Sequence, residues 1–122
     1  MLSSIRAVIA AALLALTLSS CALYYPDLTD PEVAKVIKIG RCEQPAPPSV
    51  GDRWEGIWWD FRGPQYRGGL GMMNGVWSEY RNPEWPSTAD LGSPAQQVLV
   101  AQRLAARTGW GAWSCARKVG VR

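Results

Sequence analysis

Residues 31–48 read PEVAKVIKIGRCEQPAPP, and the architecture of the chain turns on whether this segment is helical. Asp30 stands just before it as an N-cap, Pro31 suits the first helical position, and Glu32 places negative charge near the positive end of the helix dipole. Val33, Val36, Ile37 and Gly40 recur at helical spacing, which predicts a helix over 31–43 with one apolar face. Glu43 lies three residues after Gly40 and seven after Val36, so it extends that packed stripe, while Lys35, Lys38 and Arg41 occupy other parts of the surface. Pro45, Pro47 and Pro48 then forbid helix or central strand. The helix therefore ends on a cysteine and a carboxylate, Cys42-Glu43.

Upstream, Arg6 precedes an apolar run from Ala7 to Leu18, and small residues follow at Ser19, Ser20, Cys21 and Ala22. This is the layout of a secretory signal, and the run is short of the roughly 20 residues a membrane span needs. Leu18-Ser19-Ser20-Cys21 resembles a lipoprotein box with Cys21 as the lipidated residue; Ser20-Cys21-Ala22 could instead serve ordinary signal peptidase, making Leu23 the new start. Both readings export the chain, either anchored by lipid on the outer face of the cytoplasmic membrane or released. The expected division is a signal over 1–21, a tether over 22–29 and one domain over 30–122.

Of the three cysteines, Cys21 is acylated or discarded, which leaves Cys42 and Cys115. A disulfide between them suits a small exported domain; two free thiols or a pair of metal ligands are the alternatives. The chain has no His and no second Cys pair, which argues against zinc, and nothing in the sequence calls for a metal or a cofactor. The formal net charge of +3 falls to +2 without Arg6. No Lys or Arg run is present, so no nucleic-acid partner is expected. Seven Trp against one Phe, all after residue 50, suit both a core and a sugar-binding cleft.

Farther along, Gly63-Pro64 marks a turn, and 66–72 (YRGGLGM) reads as a short irregular hairpin with close backbone approach at Gly68, Gly69 and Gly71. Asn74 to Tyr80 reads as a short helix bearing Trp77. Ser93-Pro94-Ala95-Gln96 is a capping box; Gln97, Val98, Val100, Ala101, Leu104 and Ala105 continue a helix that Gly109 stops. Trp110 to Cys115 is expected to add one more helical turn.

Without His, triads built on imidazole are excluded. Among Glu43, Asp52, Glu55, Asp60, Glu79, Glu84 and Asp90, the strongest candidate acid is Glu43. Its place at the end of an apolar stripe, at a helix C-terminus, is the setting expected of a general acid. A frayed, solvated helix-end Glu is the plain alternative.

From Val33 to Cys115 the chain resembles the resuscitation-promoting-factor and related actinobacterial transglycosylase-like domains. The likeness is carried by Cys42-Glu43 at a helix end, Trp58 ten residues before Gly68 in Tyr66-Arg67-Gly68-Gly69-Leu70, and Trp77 beyond it. Gln96-Gln97 and the closing Gly109-Trp110-Gly111-Ala112-Trp113-Ser114-Cys115 complete the pattern. The resemblance implies a predominantly helical α+β, lysozyme-like domain in which Cys42 and Cys115 are bridged. It further implies action on peptidoglycan glycan strands between N-acetylmuramic acid and N-acetylglucosamine, with Glu43 as the catalytic acid. Trp58, Tyr66, Gly68, Gly69 and Trp77 are the expected substrate-binding residues, with core packing the alternative for Trp77 and Trp113. A lytic transglycosylase needs only that one acid, whereas Asp52, Glu55 or Asp60 would be needed for hydrolysis.

The chain also departs from the family pattern. The segment from Gln44 to Ile57 is longer by about ten residues than the family's Ser-Gly-Gly-Asn connection. Gly71 stands where the family has Gln, and Arg62 falls where it has Thr. A weakly active or inactive peptidoglycan-binding envelope protein is the alternative these departures leave open.

Overall fold

The computed structural model describes residues 24–122; the segment expected as a signal, Cys21 included, lies outside the described residues. Helix α1 spans Pro31–Glu43, with Asp30 accepting from the Glu32 N–H as its N-cap. Its buried residues are Val33, Val36, Ile37, Ile39 and Gly40. It stops because Gln44 leaves helical geometry (φ −135°, ψ 68°) and Pro45 follows. Gly40 is where α1 approaches the rest of the domain most closely: a Cβ there would stand 2.8 Å from Ile57 Cδ1 and 3.3 Å from the Gly69 carbonyl.

Strands β1 (Tyr66–Arg67) and β2 (Met72–Met73) form the antiparallel hairpin, pairing Tyr66 with Met73 and Arg67 with Met72. Leu70 at its tip is buried, and the turn is entered and left through Gly68 and Gly71, both at positive φ. Helix α2 (Asn74–Tyr80) follows directly, α3 spans Pro94–Thr108, and α4 spans Ser114–Lys118. The capping box of α3 is complete, with Ser93 and Gln96 each bonding the other's backbone N–H. Residues 110–115, expected as one helical turn, divide into a 3-10 turn at Trp110–Ala112 and the start of α4, which runs past Cys115.

The core joins α1, α3 and the hairpin through Val36, Ile37, Ile57, Trp59, Leu70 and Val98. Its tryptophans supply both volume and a polar handle. Trp77 Nε1–H donates to the Pro86 carbonyl (2.8 Å), Trp59 to Trp54 (2.9 Å) and Trp113 to Leu70 (3.0 Å), so each buried indole N–H is satisfied. Gln97, wholly buried, accepts from Gly69 N–H (2.8 Å) and donates to the carbonyls of Trp59 and Gly92 (3.0 Å each).

Cys42 and Cys115 are bridged, with Cα atoms 5.8 Å apart and a sequence separation of 73. Closing a loop of that length stabilises the fold by roughly 4 kcal/mol in the chain-entropy picture. The molecule is thus a small, predominantly helical α+β domain of the lysozyme-like class, with one short hairpin and one disulfide.

Of the segment expected as a tether, residues 24–29 are described and lie against the domain. Tyr25 packs on Trp54 with ring centroids 4.8 Å apart, and Trp54 leans on Trp59 at 5.9 Å. Ahead of α1, both the N–H and the hydroxyl of Thr29 donate to Asp27, holding that carboxyl below its ordinary range. Among the described residues no helix is long and apolar enough to cross a membrane.

Candidate active site

Glu43 is the last residue of α1, half-buried, and set on a stapled frame. The neighbouring Cys42 is bonded to Cys115, and the Cys115 N–H donates to Glu43 Oε1 at 3.1 Å. One covalent link and one hydrogen bond therefore fix the end of α1 to the start of α4. Among the described residues no Lys or Arg pairs with Glu43 and its second oxygen accepts no hydrogen bond, so half of the carboxyl stays uncommitted.

The acid opens into a cleft of about 840 Å³, within the size range of small-ligand sites. One wall is the hairpin, where paired Tyr66 and Met73 stand 47% and 45% exposed; residues facing each other across a ladder share one side of it. Phe61 and Gln44 lie on another side, and Leu104 and Trp113 complete the lining from the helical half. Glu43 is the one charged side chain among the lining residues. The other candidate acids are placed elsewhere. Asp52 accepts from the Trp54 N–H, Glu55 is paired with Arg41, and exposed Asp60 does not line the cleft.

The long segment after Gln44 does not pull the acid away from the hairpin. Its two ends are tied together: Trp58 N–H donates to the Gln44 carbonyl (2.9 Å) and Ala46 N–H to that of Gly56 (3.0 Å). Arg41 grips its far end through the carbonyl and carboxylate of Glu55, a residue held at φ 58°, in the left-handed region. The extra residues form a side loop closed at its base.

Residues 51–116, more than half of the chain, match the family model described as the transglycosylase-like domain. The chain belongs to that family. The transglycosylase-like match includes the hairpin, α3 and Cys115 but starts downstream of Cys42 and Glu43. Resuscitation-promoting factor Rpf1 of Corynebacterium glutamicum is 36% identical over 67 residues, covering 54% of this chain and 35% of that protein. Resuscitation-promoting factor RpfA of Mycobacterium tuberculosis is 36% identical over 76 residues, covering 62% of this chain and 16% of that one. Rpf2 of Corynebacterium glutamicum is 32% identical over 68 residues, covering 55% and 18%. The chain thus spans about a third or less of the length of these curated relatives.

Of the sequence-based expectations for the transglycosylase-like site, Glu43 and Tyr66 share the cleft. Trp58 sits beside it rather than in its lining, half-buried and edge-on to Phe61 (5.1 Å). Trp77 has no exposed surface and is a core residue, because α2 turns its indole inward toward Pro86. Gly68 and Gly69 are buried and approach protein instead of the cleft. A Cβ on Gly68 would meet Gln97 Oε1 at 2.5 Å, and one on Gly69 would meet Ile57 Cγ2 at 2.5 Å. Trp113, Phe61, Gln44 and Met73 line the cleft without having been singled out for it. For Trp113 the signal was present: it is two residues before Cys115, whose proposed partner adjoins Glu43.

Proposed function

We propose that this chain is an exported peptidoglycan-cleaving enzyme, a lytic transglycosylase acting between N-acetylmuramic acid and N-acetylglucosamine. The observation that carries the reading is a single, rigidly mounted carboxyl group in a cleft of sugar-binding size, lined by aromatic and apolar side chains. Membership of the transglycosylase-like family supports the same substrate class.

In this scheme Glu43 donates its proton to the glycosidic oxygen as the bond from that oxygen to the muramic anomeric carbon breaks. The ionised Glu43 then takes the proton of the muramic 6-hydroxyl, whose oxygen bonds to the anomeric carbon. The products are a free sugar hydroxyl and a 1,6-anhydro end; no water is consumed and Glu43 ends protonated as it began. A hydrolase would need a second carboxylate flanking the bond, and Asp52, Glu55 and Asp60 are not in the cleft lining. Tyr66, exposed on the hairpin, offers ring surface to the sugars. An N-terminal signal, with Cys21 kept as the lipid attachment point, would deliver the domain to the outer face of the cytoplasmic membrane, where its substrate lies.

Incubating wild-type and Glu43→Gln protein with labelled peptidoglycan, followed by mass spectrometry, tests the proposal. Anhydro-muropeptides from wild type alone are expected. Binding by both proteins with no product from either would sink the enzymatic reading in favour of a binding module.

A further inference from the structure

We infer that Gln44 is a sugar-binding residue of this cleft, its carboxamide exchanging hydrogen bonds with the acetamido and hydroxyl groups of the amino sugar seated beside Glu43: its N–H groups donate and its carbonyl accepts. The inference rests on the amino-sugar reading of the cleft proposed above. Four observations lead to it.

The backbone of Gln44 is pinned on both sides. Its N–H donates to the Gly40 carbonyl and its own carbonyl accepts from Trp58 N–H, each at 2.9 Å. The residue is held between the end of α1 and the returning limb of the side loop. Its side chain has a fixed origin.

That side chain lines the cleft next to Glu43 and reaches over the hairpin turn. Gln44 Nε2 lies 3.3 Å from the point a Cβ on residue 71 would occupy. Residue 71 is glycine at φ 56°, so both the backbone conformation and the space above it suit a residue without a side chain. The amide fills the room that Gly71 leaves.

The carboxamide makes no hydrogen bond among the described residues. A primary amide carries two donors and an acceptor with two lone pairs, and a half-buried one at the edge of a largely apolar cleft is poised to meet a neutral polar ligand. An acetamido group or a sugar hydroxyl presents the complementary acceptor and donor.

Finally, Gln44 adjoins the candidate acid in sequence, so the group it holds sits on a sugar flanking the bond that Glu43 would attack. The two departures of the chain meet here: the lengthened segment begins at Gln44, and its amide stands over Gly71, where the family has Gln.

The test uses β-1,4-linked N-acetylglucosamine oligomers titrated calorimetrically into Glu43→Gln protein and into the same protein carrying Gln44→Met, which keeps the reach and removes the amide. Gln44→Met should weaken binding roughly 5- to 20-fold, as expected for one or two neutral hydrogen bonds, while the thermal midpoint moves little. Gln44→Glu, which keeps only acceptors, should also lose affinity. Equal affinities overturn the inference, as does absence of oligomer binding to the Glu43→Gln protein. A collapse of the thermal midpoint in both Gln44 variants overturns it too, because the side chain would then be structural. Gln44-dependent binding without turnover by wild type keeps the inference and removes the enzymatic proposal; turnover with Gln44-independent binding does the reverse.

Discussion

Two glutamines flank the glycine-rich turn of the hairpin, and they behave as opposites. Gln97 is wholly buried on α3, and its carboxamide is fully engaged, accepting from Gly69 N–H and donating to the carbonyls of Trp59 and Gly92. Gln44 is half-buried at the end of α1; its backbone is engaged on both sides and its carboxamide is not. The same functional group serves the fold where its hydrogen bonds close on protein, and is available to a ligand where they end in a cleft. Glu43 stands between these limits, with one oxygen held by Cys115 N–H and the other uncommitted.

Substitutions should separate the two kinds of residue by what they change. The largest effect is expected at Glu43. On the proposed mechanism Glu43→Gln lowers turnover of labelled peptidoglycan at least 100-fold, in line with the roughly 10²–10⁴-fold worth of a positioned acid–base group. The thermal midpoint should stay near wild type.

Gln97→Ala should do the reverse in kind. It strips one backbone N–H and two carbonyls of their buried partners, and orphaned groups of this sort cost about 1–3 kcal/mol each before any relaxation. Urea unfolding should show a loss of at least about 3 kcal/mol. A loss under about 1 kcal/mol would mean that the hairpin is held chiefly by apolar packing.

The paired replacement Cys42→Ser and Cys115→Ser should cost about 2–4 kcal/mol by chemical denaturation. It should also reduce turnover, because the bridge helps hold the Glu43 carboxyl against the start of α4. Full activity in a destabilised double variant would show that the hydrogen bond from Cys115 N–H is enough to orient the acid.

Arg41→Ala should matter least. The Arg41–Glu55 pair is partly solvated, with side chains 51% and 27% exposed, so its removal should cost under about 1 kcal/mol. A drop in activity exceeding the drop in stability would show that the side loop, and with it the base of Gln44, is positioned by that contact.

Much of this was legible before the fold was known. The caps of α1 and α3 are local chemistry written at Asp30-Pro31 and Ser93-Pro94-Ala95-Gln96, and the apolar stripe of α1 carries its own period. The cysteine pair followed from elimination and from resemblance. Trp77 (for which core packing was the alternative), Gly68 and Gly69 were expected to bind substrate and lie outside the cleft lining for a shared reason. An indole or a glycine has the same local signal whether it approaches a sugar or another part of the protein. Trp77 packs inward because α2 is short and the 85–92 loop covers it: its indole donates to Pro86, and a Cβ on Gly92 would strike its ring at 2.6 Å.

The sequence by itself determined α1, α2 and α3, the ends of these helices, the hairpin turn and the placing of an acid at the tip of a packed helix. These are set by neighbours within a few residues, where capping, periodicity and glycine conformations act. Only the tertiary structure decided which polar groups close on the protein and which face the cleft. Whether an amide is spent or free depends on contacts made across long stretches of chain, such as Gln97 with Gly69 or Glu43 with Cys115, and no local pattern of residues encodes their distance.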